Sequence, residues 1–145
     1  MRHSEVYKEL QTELDAAASQ GQLSYPVTYA DAIKLPLLSA CIKEGMRMHP
    51  SVGLSMTRLA PAQGFELCGT YIPHGFRVGM NPSTVQYDRT VFGEDADHYR
   101  PSRWLGPDAA LMEKSMLQFG AGTRTCIGKN VSDQWQCPGL GKCLR

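Results

Sequence analysis

The string Phe119-Gly120-Ala121-Gly122-Thr123-Arg124-Thr125-Cys126-Ile127-Gly128 holds the most chemically loaded spacing in the chain. Gly120 and Gly122, ahead of Arg124, permit a tight backbone turn, and Gly128 after the cysteine lets a bulky group approach the main chain closely. Cys126 is therefore presented on a loop instead of being sunk into a helix face. The Arg124 guanidinium, the loop N–H groups and the N-terminus of a following helix would each favour thiolate over thiol, and the thiolate is the form that ligates a metal or attacks an electrophile.

Rival chemistries fit this loop less well. A phosphate-binding loop reads G-x-x-x-x-G-K-[ST], but Gly122 and Gly128 enclose five residues, and Lys129 is followed by Asn130, which has no hydroxyl for magnesium. A nucleophilic thiolate needs a partner base, and His3, His49, His74 and His98 have no sequence relation to Cys126 that supplies one. No C-x-x-C occurs among Cys41, Cys68, Cys126, Cys137 and Cys143, and Cys137-x5-Cys143 without a nearby His pair is a poor zinc pattern.

Pro36 suits the first position of a helix, and Leu37, Leu38, Cys41, Ile42 and Met46 continue at helical spacing to a stop at Pro50, so a helix is expected over 36–48. Glu44 and Arg47 then share a face; taken alone they read as an exposed pair worth about 0.2–0.5 kcal/mol. His49 reads as a helix-terminus residue and Arg58 as a solvated strand residue. Val6, Leu10, Leu14 and Ala17 mark an amphipathic helix over 4–18, and Thr28 with Asp31 resembles a capping box. Extended pieces at 56–60, 65–68 and 76–81, punctuated by Gly64, Gly69, Pro73 and Gly75, read as one small antiparallel sheet. From 82 to 118 only helical turns at 83–87 and 108–114 are expected, and so long an irregular stretch suggests wrapping around a bound group.

Composition narrows the classes. The 145 residues carry 15 Lys and Arg against 14 Asp and Glu, a net charge of +1, which offers no footprint for nucleic acid and no basic stripe for an anionic membrane. At 42% hydrophobic, with no long apolar run and a polar first twenty residues, the chain reads as one soluble domain without a signal peptide. An odd number of irregularly spaced cysteines argues against a disulfide framework and for a reducing compartment.

Three motifs together resemble one family. Phe119-x-x-Gly122-x-Arg124-x-Cys126-x-Gly128 resembles the haem-binding loop of the cytochrome P-450 family, the haem-thiolate monooxygenases. Glu44-x-x-Arg47 followed by His49-Pro50 resembles that family's E-x-x-R helix, and Tyr99-x-Pro101-x-Arg103-Trp104 its P-E-R-W meander segment, in the same order along the chain. The resemblance implies an α+β, mainly helical fold: the C-terminal part of the cytochrome P-450 fold, incomplete, of a eukaryotic microsomal-type member. It implies haem b (iron protoporphyrin IX) with Cys126 as axial ligand of the iron, Arg124 and Arg58 on the propionates, and Phe119 and Gly120 in the cofactor-binding loop. Glu44, Arg47 and Arg103 would form a buried charge triad, and Val52, Leu54 and Ser55 would line the substrate pocket. A small organic substrate, O2 and electrons from an NADPH-dependent reductase follow from the same likeness.

Matching motifs cover 4–130, about the last third of a full member. The segment upstream, with the oxygen-activating helix, the distal wall of the pocket and the anchor that holds relatives in the endoplasmic reticulum membrane, is expected to be missing, leaving a soluble, inactive chain with no catalytic acid or base of its own. Ser102 stands where the family has Glu. Residues 131–145, with Pro138, Gly139 and Gly141, are expected to form a divergent tail outside the family fold. A non-enzymatic fragment that binds haem weakly or not at all, and an interaction module built on helix 4–18, are the alternatives from other classes.

Overall fold

The computed structural model describes residues 3–132; the divergent tail, with Cys137, Pro138 and Cys143, lies almost wholly outside the described residues. Helix α1, Ser4–Ser19, buries Leu10, Leu14 and Ala17 along one stripe. It packs on α3, Pro36–Met48, across a cluster completed by Ala32, Leu35, Leu38 and Cys41. Between them the short α2, Tyr29–Ala32, starts at Thr28, whose hydroxyl accepts from the Asp31 N–H. The Asp31 carboxylate in turn accepts from Ser24 and Thr28, and these hydrogen bonds lower its pKa to about 2.

Helix α3 begins without a side-chain cap from its own neighbourhood, because Leu35 occupies the N-cap. Pro36 has no N–H to satisfy, which leaves the amides of Leu37 and Leu38 as the first orphan donors. Glu13 of α1 takes both, one per carboxylate oxygen, at 2.9 Å each. A single side chain thus caps α3 and fixes its angle against α1. A second cluster lies under the other face of α3, where Ala40 meets Phe92, Ala96, Trp104 and Met112.

The extended region corrects the expected single sheet. Four strands form two separate antiparallel pairs: β1, Met56–Leu59, with β4, Arg77–Met80, and β2, Phe65–Leu67, with β3, Thr70–Ile72. Strand β3 escaped the sequence pattern because its two-residue turn is Cys68-Gly69. Both residues have positive φ, +50° and +75°, as a mirror-image hairpin turn requires, but Cys68 holds the place where Asn or Asp normally signals it. Gly79 of β4 has no room for a side chain, since a Cβ there would lie 2.7 Å from Ser55 Oγ and 2.8 Å from Met56 O.

Beyond β4 come α4, Pro82–Val85, and α5, Arg89–Phe92, then a 3-10 turn at Pro101–Leu105 and α6, Ala109–Lys114. Asn81 caps α4 and Asp88 caps α5 through their side-chain oxygens. The turns expected at 83–87 and 108–114 are present in α4 and α6; α5 and the 3-10 turn were not anticipated.

Replacing Glu13 with alanine is expected to leave two N-terminal amides of α3 without an acceptor and to lower stability by about 0.5–2 kcal/mol. Urea unfolding followed by circular dichroism checks this, with Glu5→Ala, exposed in the first turn of α1, as the near-neutral control.

Candidate functional site

Glu44 has no exposed surface, nor has Arg47, and Arg103 is 5% exposed. The Glu44 carboxylate accepts five hydrogen bonds. Arg47 donates Nε to Oε2 and Nη2 to Oε1, both at 2.9 Å. Arg103 Nε reaches Oε1 at 3.0 Å, the Arg100 amide reaches the same oxygen at 2.9 Å, and Trp104 Nε1 reaches Oε2 at 2.9 Å. Glu44 and Arg47 are thus not the exposed pair they suggest when taken alone; they form the buried charge triad that the resemblance implies, with Arg103 coming from 59 residues beyond Glu44 to complete it. Burial works against the Glu44 carboxylate, but the donors from Arg47, Arg100 and Trp104 outweigh it and hold its pKa below the ordinary value.

The irregular stretch from 82 to 103 wraps the two guanidiniums. Arg47 donates Nη1 to the carbonyls of Gln86 (2.8 Å) and Ala96 (2.6 Å) and Nη2 to that of His98 (3.2 Å). Arg103 donates Nη1 to the Phe92 carbonyl and to Asp95 Oδ1 (3.2 Å), and Nη2 to the carbonyls of Asp95 and His98. A chain with few ladders of its own thus finds its backbone acceptors satisfied by two arginines. Within the stretch expected to wrap a bound group, the carbonyls of residues 86–98 turn onto two buried cations of the chain itself. Ser102, in the position of the family's Glu, is exposed and leaves the Arg103 contacts in place.

The cysteine loop closes on itself. Gly120 N–H bonds to Leu117 O at 2.8 Å, Thr125 N–H to Gly122 O at 3.1 Å, and Cys126 N–H to Phe119 O at 2.7 Å. Gly120 and Gly122 both take positive φ, +72° and +65°, where other residues are strained. Cys126 is an exposed free thiol, Arg124 is exposed, and Phe119 is half-buried. Helical backbone resumes at Lys129. The loop sits against β1: a Cβ on Gly120 would lie 3.7 Å from Met56 Sδ. Arg58, two residues on and hence on the same face of β1 as Met56, is exposed there.

The structure therefore brings Glu44, Arg47 and Arg103 into one cluster and Phe119, Gly120, Arg124 and Cys126 into one loop, with the Arg58 strand beside it. Val52, Leu54 and Ser55 are exposed and border no described cavity. A cleft of about 410 Å³ lies instead behind the loop, lined by Ile42, Lys43, Met46, Trp104, Phe119 and Lys129 among others, and Cys126 is not part of its wall. Among the described residues no three His, Cys, Asp or Glu side chains converge to hold a metal by themselves. Sequence reasoning missed Trp104 as a donor to Glu44 and missed Gln86, which is fully buried and bonds through its side chain to three backbone groups.

Comparison with known proteins points the same way as this geometry. The family model described as Cytochrome P450 matches residues 1–135. The chain is 48% identical over 128 residues to the cytochrome P450 monooxygenase gsfF of Penicillium aethiopicum, covering 88% of this chain and 25% of that protein. It is 46% identical over 134 residues to the cytochrome P450 monooxygenase ACRTS1 of Alternaria alternata, covering 91% of this chain and 36% of that one. A zebrafish cytochrome P450 structure determined with abiraterone superposes with a TM-score of 0.82 at 28% identity, covering 99% of this chain and 33% of the other. The chain belongs to the cytochrome P450 family. It spans about a quarter to a third of the length of these relatives. No described helix is long and apolar enough to cross a membrane.

Glu44→Gln is expected to destabilise the chain by about 3–5 kcal/mol at neutral pH, because it leaves two buried guanidiniums short of their counter-charge. A carboxyl whose folded pKa is depressed stabilises the fold above its unfolded value and loses that contribution as pH falls through the folded one. The stability gap between the unsubstituted chain and Glu44→Gln, measured by denaturant titration, should therefore be largest at neutral pH and shrink below the ordinary glutamate value of 4.5.

Proposed function

We propose that this chain carries the thiolate end of a cytochrome P450 monooxygenase, with Cys126 as the axial ligand to the iron of haem b. The observation that supports this most is the exposed Cys126 thiol on a loop closed by its own amide on Phe119 O, with Arg124 two residues before it. The residues fit the group on chemical grounds. A thiolate that belongs to no convergent group of three or more His, Cys, Asp or Glu among the described residues suits a metal that arrives already held by a macrocycle. Exposed Arg124 and Arg58 suit that macrocycle's carboxylates, for which a guanidinium fork is the better match than an ammonium. Exposed Ile127 and Leu54 offer apolar surface for a flat apolar ring to cover.

When bound, the haem supplies oxygen activation, and electron donation by the thiolate favours O–O cleavage. The chain's own residues do the holding. The Phe119–Cys126 bond and the two positive-φ glycines set the thiol's height above the loop. Arg124 would pair with a carboxylate of the macrocycle. Glu44, Arg47 and Arg103 keep α3 and the meander locked behind the loop, a role of geometry more than of net stability. Oxidation of a small organic substrate with O2 and electrons from a reductase belongs to the whole protein, as does any attachment to the endoplasmic reticulum membrane. Val52, Leu54 and Ser55 are the candidate substrate contacts.

A second reading, a non-enzymatic fragment, draws on the exposure of Val52, Leu54, Leu59, Phe76, Met80 and Ile127, which leaves the side proposed to meet haem uncovered in these residues alone. One experiment separates the two. The purified chain, mixed with haemin, reduced and exposed to carbon monoxide, should show the red-shifted Soret band of thiolate ligation, and Cys126→Ala should abolish it. Absence of the band, or its survival in Cys126→Ala, sinks the thiolate assignment. Arg124→Leu should weaken haem retention about fivefold to tenfold while keeping the band position, since it removes one charge-assisted contact and not the ligand. Turnover by the 145-residue chain with a reductase is expected to be absent.

A further inference from the structure

Gln86 is fully buried, and its carboxamide bridges two parts of the chain that lie far apart in sequence. Nε2 donates to the carbonyls of Met46 (3.1 Å) and Arg47 (2.8 Å) in the last turn of α3. Oε1 accepts from the Leu117 amide at 2.9 Å. The next residue continues the same work, as Tyr87 donates its hydroxyl to Met48 O at 3.0 Å. Three carbonyls that the end of a helix leaves orphaned are thereby satisfied by two consecutive side chains. The backbone carbonyl of Gln86 also accepts from Arg47 Nη1, so the residue touches the buried charge cluster as well.

Leu117 is where the cysteine loop departs. Its carbonyl accepts from Gly120, whose positive φ turns the chain toward Cys126. We propose that Gln86 is a positioning residue for the cysteine loop: its carboxamide ties the C-terminal turn of α3 to Leu117 and so fixes where the Phe119–Cys126 loop leaves the core. The residue type follows from the partners. A backbone N–H can only donate and a carbonyl can only accept, so the site requires an acceptor and a two-proton donor on one planar group, which an amide supplies and a carboxylate does not. Glutamate keeps the shape but sets an acceptor against two carbonyls. Asparagine keeps the chemistry but is one methylene too short to span both sides.

The ligand role of Cys126 rests on the reading above, whereas the tie to Leu117 does not, so two readouts are used on the full chain. In amide hydrogen exchange, Gln86→Asn should speed the amides of Leu117, Gly120 and Cys126 about tenfold relative to those of α1. Leu14→Ala, a core change in α1, should do the reverse and speed α1 relative to the loop. In the haemin-loaded, carbon monoxide-treated chain, Gln86→Asn should lower the fraction absorbing at the thiolate position at least about threefold, and Leu14→Ala should leave that fraction unchanged among folded molecules. Gln86→Glu should repeat both effects if it folds, and Gln86→Asn alone decides if it does not. Loop and α1 amides that accelerate equally in Gln86→Asn overturn the inference. If the unsubstituted chain shows no thiolate band, the haem reading fails and the exchange ratio alone decides on Gln86.

Discussion

A carboxylate with no exposed surface has to be neutralised where it lies, and at Glu44 that requirement decides how separate pieces of chain meet. Arg47 answers it from the same helix face, but one guanidinium leaves lone pairs open on both oxygens. Arg103, the Arg100 amide and Trp104 fill them, and all three belong to the 3-10 turn or its entry. The arginines bring their own demand: seven further donations go to carbonyls of residues 86–98 and to Asp95. A segment made of short turns, with no long helix or strand of its own, is thereby given a defined path. The interaction is worth more as geometry than as net energy, since buried ions of this kind regain little beyond their desolvation cost. What the cluster supplies is a fixed spacing between α3 and the segment that follows the sheets.

That spacing matters because the cysteine loop has almost no core of its own. From Gly120 to Ile127 its residues are half-buried or exposed, and its internal bonds join residues only three to seven apart. A loop closed so locally keeps its shape but not its place; something outside must hold it. Two supports are visible. Met56 of β1 meets it at Gly120, and the Leu117 amide anchors its approach to Gln86 behind α3. The cleft of about 410 Å³ behind the loop shows that side-chain packing from below is incomplete among the described residues, so these directed contacts carry more of the positioning.

Much of this was legible in the sequence, for definite reasons. Helix α3 came out with its observed ends because Pro36 and Pro50 bracket a clean helical period, and α1 because its apolar stripe is unbroken. The cluster of Glu44, Arg47 and Arg103, its burial included, was legible only through motif resemblance: taken alone, a pair three apart on a helix looks the same in water and in a core. What could not be read were side chains whose partners are distant backbone groups. Glu13 caps amides 24 and 25 residues away, Gln86 reaches α3 and Leu117, and carbonyls and amides leave no trace in residue identity. Strand β3 was hidden by Cys68 in a turn position where its positive φ is unusual.

The two sides of the chain differ in how far their apolar residues are buried, and the difference bears on how its hydrophobic content is used. Behind α3, Leu38, Ala40, Phe92 and Trp104 are buried and the charges among them are paired. On the strands and the loop, Leu54, Leu59, Phe76, Met80 and Ile127 are more than half exposed. Single exposed apolar residues are ordinary, but here they gather in the segments that also hold Arg58, Arg124 and Cys126. Relatives of this family are about three to four times as long as the stretch they share with this chain. These exposed apolar residues lie in the segments that the proposed haem contact would cover, so the proposal accounts for their exposure as well as for the cations and the thiol among them.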